Sequence, residues 1–179
     1  RTIHSLCFKL LNMTRDRMMS PEDYREFGIK CNIPIKTASY SEEDGIFNSD
    51  NEYLTIINTA RVKGIDLLEC YDSRRNLLDV ERNTLYLIDQ ELKRYKKEKG
   101  LKDFTDLLEE FVERDLAPKF KVLFIDEAQD LSYLQWRLIK SIWKNAEKTY
   151  IAGDDDQAIF RWAGADVDHF IALKEEVND

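Results

Sequence analysis

Little in these 179 residues points to covalent or metal cross-linking. The three cysteines, Cys7, Cys31 and Cys70, lie far apart and in no CxxC or CxxH pairing. That argues against a disulfide framework and a zinc site, and it fits a reducing, cytoplasmic compartment. No apolar stretch is long enough to cross a bilayer. The first residues are polar and amphipathic, unlike a signal peptide. Positive charge is also in deficit. The net charge of −8 argues against a general nucleic-acid coat, because phosphate contacts need Lys and Arg. A local site remains compatible with it, since basic residues gather in KRYKKEK (93–99), in RDR (15–17) and near the N-terminus. KRYKKEK reads as a solvated helix face. The few glycines form no G-x-x-x-x-G-K-[ST] phosphate loop. There are no internal repeats and no low-complexity tract.

What is present suits a globular chain. Hydrophobic residues make up 43%, enough for a core, and the length fits one domain or one large domain with an insertion. The chain opens on Arg1 rather than Met and is read as a fragment.

Periodicity supplies the elements. Ile3, Leu6, Cys7, Leu10 and Leu11 form one apolar helix stripe, with Thr2 as N-cap. SPED (20–23) starts a helix with Pro21 in its first turn. YSEEDGIFNSDNE (40–52) is polar and reads as a loop, and 52–70 reads as weakly helical. Leu85, Ile88, Leu92 and Tyr95 share a stripe that Gly100 closes. Phe104, Leu107, Leu108, Phe111 and Val112 form another, ended by Pro118. KVLFID (121–126) and TYIAG (149–153) read as short buried strands. Between them, SYLQWRLIKSIWK is a helix with a Ser132/Gln135 capping box and a Leu131–Trp136 staple. A last helix starts near Asp166 or Asp168. Strand, helix, strand with this crossover length predicts a parallel pair.

A hydrophobic run that ends on Asp126-Glu127 demands a reason, because an unpartnered buried charge is costly. In an open parallel sheet, ligands sit beyond the carboxyl ends of the strands. The first strand ends at Asp126-Glu127 and the second at Gly153, followed by DDDQ (154–157). Neighbouring strands would bring both polar clusters to one edge, where a divalent cation and water can share the site. Asp126 suits holding Mg²⁺, a hard ion that takes carboxylate oxygen and keeps several waters. Glu127, with its longer reach, suits polarising an attacking water as general base. Gln157, both donor and acceptor, suits sensing a terminal phosphate or orienting water. Alone, IDE marks no more than a strand end and helix cap; the second cluster, one crossover later, changes that balance.

These segments resemble a known family. VLFIDEAQDLS (122–132) looks like the Walker B box of superfamily 1 helicases of the UvrD/Rep/PcrA type, and YIAGDDDQAIFRWAGAD (150–166) resembles their motif III. RTIHSLCFKLL resembles the T-F-H-S box and DFTDLL the short box before Walker B, all in family order. The resemblance implies an α/β fold: a partial RecA-like (P-loop NTPase) parallel-sheet domain, 1–14 and 101–179, with a mostly helical insertion over 15–100. It implies ATP and Mg²⁺ as cofactors, with Asp126 on the metal, Glu127 as base and Gln157 on the γ-phosphate. Asp130, Gly153, Asp154 and Asp156 would couple the nucleotide site to DNA. Trp162 and Phe160 would stack single-strand bases beside Arg161, the alternative for both aromatics being a hydrophobic core. Thr2, His4 and Ser5 would lie near the DNA backbone or between the nucleotide and DNA sites, the alternative for His4 being helix capping. The partners would be single-stranded DNA, single/double-strand junctions and the rest of the helicase chain, with no membrane and no disulfide partner.

The sequence departs from that pattern in two places. The phosphate loop, which lies upstream of the T-F-H-S box in the family, is missing, so these residues by themselves are expected to hydrolyse ATP poorly. Ala163 stands where many relatives carry Arg after the Trp, which leaves Arg161 as the nearby guanidinium. The leading expectation is part of an ATP-driven, 3′-to-5′ single-strand DNA translocase and helicase. A non-catalytic RecA-like binding module is the alternative. A metal nuclease built on DDD (154–156) is disfavoured, because no His or Lys lies nearby in sequence.

Overall fold

The computed structural model describes residues 2–41, 46–74, 80–158 and 164–177. The chain divides into two compact units, Arg1–Arg61 with Ile65–Leu107, and Val62–Gly64 with Leu108–Asp179.

In the first unit, helices begin where short polar side chains cap them. α1 (Ile3–Leu10) starts at Thr2, whose hydroxyl accepts from Ser5 N–H. α2 (Pro21–Lys30) starts at Ser20, which forms a reciprocal capping box with Asp23, and Pro21 fills the first turn at no hydrogen-bond cost. β1 (Ala38–Ser41) and β2 (Ile46–Ser49) are an antiparallel pair, with Tyr40 opposite Phe47. This corrects the loop expected over 40–52. Tyr40 pairs with Phe47 and Ser41 with Ile46 across the two strands, and the Asp50 carboxylate accepts from the Lys36 and Thr37 amides next to them. The weakly helical 52–70 is two helices, α3 (Glu52–Lys63) and α4 (Leu67–Asp72). Asn51 caps the first and Asp66 the second.

α5 (Arg82–Lys99) ends on Gly100 at φ +67°, the left-handed conformation glycine adopts without strain. Its Leu85, Ile88, Leu92 and Tyr95 join Phe27, Leu54 and Ile56 in the core. KRYKKEK is not wholly solvated: Lys96 is 7% exposed, because it follows Leu92 by four residues and so lies on the buried stripe. α6 (Phe104–Glu113) stops before Pro118, with Asp115 at φ +47° already off the helix.

The second unit holds a parallel pair, β3 (Phe120–Ile125) and β4 (Ala146–Ile151), with Ile125 opposite Ile151. α7 (Tyr133–Trp143) connects them. Its Ser132/Gln135 capping box is formed, and Leu134, Trp136, Leu138, Ile139 and Ile142 are buried. α8 (Val167–Val177) follows, with Asp166 accepting from His169 N–H. The strands are not buried on both faces as expected. Val122 is exposed, Phe124 is 75% and Tyr150 53% exposed, and the two rings stack on each other. Alternate side chains of a strand point to opposite faces: Ile125 is buried on one face, and the Phe124–Tyr150 face is open among the described residues. No helix among the described residues is long and apolar enough to cross a membrane.

Candidate active site

The carboxyl ends of β3 and β4 lie side by side, so their loops leave from one edge. The ladder continues past the strands with one residue out of step. Ala152 N–H donates to Ile125 O (2.7 Å), and Ala152 O accepts from Ala128 N–H (3.0 Å). In a regular parallel ladder that second bond would come from residue 127. The extra residue is accommodated by Glu127 at φ +51°, ψ +43°, a left-handed position rare for a non-glycine residue. The bulge leaves both Asp126 and Glu127 exposed at the edge, and Glu127 N–H donates to Asp126 Oδ1 (3.1 Å). This is how a run ending in two acids avoids burying them.

The second cluster is a single turn of 3₁₀ helix at Asp155–Gln157 that Asp154 caps. Asp154 Oδ1 accepts from Asp156 N–H (3.1 Å), and Oδ2 accepts from Gln157 Nε2 (2.6 Å). Gln129, 1% exposed, lies between the clusters. Its Nε2 donates to Glu127 Oε2 (2.7 Å), and its Oε1 accepts from Asp154 N–H (3.0 Å). Asp126, Glu127, Asp154, Asp156 and Gln157 are therefore brought to one edge. Gly153 is confined there, since a Cβ would sit 2.6 Å from Gln129 Oε1 and 2.8 Å from the Phe170 ring. Asp130 closes a separate 3₁₀ turn, Ala128–Asp130; the residue is half-buried, and its Oδ1 is enclosed without a hydrogen-bond partner. Burial first, and then the Glu127 carboxylate, push the Asp130 pKa upward. No group of three or more His, Cys, Asp or Glu among the described residues is arranged to hold a metal ion. An ion here would therefore rest on few protein oxygens, with waters or phosphate completing its shell, which is how Mg²⁺ is commonly held.

A family model described as the UvrD/REP helicase N-terminal domain matches residues 1–178. The chain belongs to the UvrD/REP helicase family. Among its relatives, the ATP-dependent DNA helicase Rep of Buchnera aphidicola is 35% identical over 91 residues, 46% of this chain and 14% of that protein. The ATP-dependent DNA helicase PcrA of Staphylococcus epidermidis is 25% identical, over 98% of this chain and 25% of that protein. RecBCD enzyme subunit RecB of Buchnera aphidicola is 32% identical, over 86% of this chain and 13% of that protein. The chain thus spans a quarter or less of the length of these three relatives. Its mixed helix–strand architecture with a small parallel sheet is compatible with a UvrD/REP N-terminal domain.

Sequence reasoning passed over Gln129, although the signal was there: a polar residue two positions after Glu127, directly before a capped helix. Of the other site residues, Phe160, Arg161 and Trp162 lie outside the described residues, as does Ala163. Thr2, His4 and Ser5 belong to the first unit. Thr2 is exposed, and Thr2 O accepts from Ser5 Oγ (2.9 Å). Ser5 lines a groove with Phe8, Lys9 and Arg15. His4 also borders that groove but is only 4% exposed. Its Nε2 lies 2.7 Å from Tyr40 Oη, and Phe104 packs edge-on to its ring.

Burial pushes the His4 pKa down to about 4 from its ordinary 6.5. The unfolded chain then binds more protons than the folded one between those values, so stability rises with pH in that window. The neutral ring's contribution is whole above about pH 6.5 and is lost as pH falls toward 4, on the order of 3 kcal/mol in all. Urea unfolding of the first unit measured from pH 7 to pH 4 is expected to show this slope, and His4→Phe is expected to flatten it. An identical slope in both proteins would assign the acid loss elsewhere.

Proposed function

We propose that this chain is the segment of an ATP-driven single-strand DNA translocase and helicase, moving 3′ to 5′, that carries the general base and the nucleotide–DNA coupling turn. The observation that carries this reading is the shared edge: a parallel strand pair delivers Asp126-Glu127 and the Asp154–Gln157 turn to one place, in a chain of the UvrD/REP family. In this reading 1–14 and 101–179 belong to a RecA-like domain and 15–100 to its insertion.

Glu127 takes the proton of the attacking water, its carboxylate held at an exposed edge by the bulge. Asp126 supplies carboxylate oxygen to Mg²⁺, which would neutralise phosphate charge when bound. Gln157 presents its amide to the terminal phosphate. Asp130, Gly153, Asp154 and Asp156 relay the state of that phosphate to the DNA-contacting segment, where Phe160 and Trp162 stack bases beside Arg161. Thr2 and Ser5 contact the DNA backbone along the groove that Lys9 and Arg15 make basic, and His4 shapes its floor. Without a phosphate loop, these residues alone turn over ATP poorly.

The test is ATP turnover by the full-length protein with and without single-stranded DNA. Strong stimulation by DNA is expected. A folded protein that binds DNA and shows no turnover would instead be a RecA-like module that has lost catalysis.

A further inference from the structure

The hydrogen bonds at the strand edge form a continuous chain with one buried member. Glu127 Oε2 accepts from Gln129 Nε2, Gln129 Oε1 accepts from Asp154 N–H, and Asp154 Oδ2 accepts from Gln157 Nε2. The two ends are exposed and free to meet a ligand, while Gln129 is enclosed and meets none. A primary amide is suited to the middle place, because it offers a donor to the carboxylate on one side and an acceptor to the backbone N–H on the other. Glu there would set a second carboxylate against Glu127, and an apolar residue would leave the Asp154 amide unpaired. Glu127 itself sits on a left-handed backbone, so Gln129 is the side chain that fixes where its carboxylate points.

We propose that Gln129 is a positioning residue that holds Glu127 in register with the Asp154–Gln157 turn, so that the group sensing the terminal phosphate and the group activating water move as one unit. The absence of a side chain at residue 153 belongs to the same device: a Cβ there would overlap Gln129 Oε1. This inference rests on Glu127 being the general base.

The experiment uses the full-length protein and three variants, Glu127→Gln, Gln129→Glu and the two combined. Gln129→Glu keeps an acceptor for Asp154 N–H, removes the donor to Glu127 and sets a second carboxyl group against it. It is expected to lower kcat about 10²-fold, the scale of a misplaced reacting group, with KM for ATP changed by less than about threefold. Added to Glu127→Gln it is expected to cause no further loss, because it acts through Glu127. Losses that multiply in the double variant would make Gln129 merely structural. A Gln129→Glu enzyme within twofold of wild type, beside an inactive Glu127→Gln enzyme, would overturn the positioning role and leave the base assignment standing. Wild-type turnover by Glu127→Gln would overturn both. Gly153→Ala provides a second route if Gln129→Glu does not fold. It displaces the Gln129 side chain by contact, and the same fall in kcat with retained KM is expected; unchanged kcat in that folded variant also overturns the role.

Discussion

Glu127→Gln lowers ATP turnover by the full-length protein about 10²–10⁴-fold, the usual worth of a general base. The substitution removes the proton acceptor and almost nothing else. Gln is the same size, can present its own Oε1 to Gln129 Nε2, and keeps a residue at the exposed left-handed position. Nucleotide binding is therefore retained, and the loss falls on kcat rather than on affinity. Steady-state turnover together with direct nucleotide titration checks this. A Glu127→Gln enzyme with normal turnover would return the paired acids of this edge to a cap and strand end.

Lys96→Met destabilises the first unit by about 3–5 kcal/mol, the cost of leaving buried charge without its partner. Lys96 Nζ lies 2.6 Å from Asp103 Oδ2 and 2.7 Å from Asp106 Oδ2. Arg61 completes the group, with Nη1 2.8 Å from Asp103 and Nη2 2.5 Å from Asp106. The two carboxylates also cap α6 reciprocally, each accepting from the other's backbone N–H at 2.8 Å. Burial alone would raise the Asp103 pKa, but Arg61 and Lys96 override it and hold that carboxyl well below the usual range. Taking away one cation leaves the buried Asp103 and the half-buried Asp106 sharing one guanidinium. Urea unfolding checks the prediction, with Arg94→Ala as control: its exposed pairing to Glu91 is screened by water, and the midpoint should barely move. A Lys96→Met loss below about 1 kcal/mol would mean that water reaches the group and screens it.

Much of the fold could be read before any coordinates, and the parts that could are local. Ser20 with Asp23, Ser132 with Gln135, and Gly100 after α5 each act within three or four residues, so the cap and its helix appear together in the sequence. The parallel strand pair was legible because hydrophobic runs with a helix between them leave few arrangements. The antiparallel pair of Ala38–Ser41 and Ile46–Ser49 was not. Its stability comes from pairing between the two strands and from Asp50 reaching back to Lys36 and Thr37, neither of which leaves a periodic trace.

The candidate site divides along the same line. Residue chemistry singled out Asp126, Glu127 and Gln157, because acids and an amide past two neighbouring strand ends can share a cation and water, and the family resemblance added Asp154. Gln129 escaped notice because its role depends on burial and on an amide 25 residues away. Lys96 in a basic run read as solvent-facing and His4 as a DNA-backbone contact or helix cap, yet packing encloses both among groups distant in the chain. Propensity, capping and strand order are short-range properties written residue by residue. Which polar side chains are cut off from water, and which partners then satisfy them, is a property of the packed molecule, and at this edge that is what couples one acid to the other.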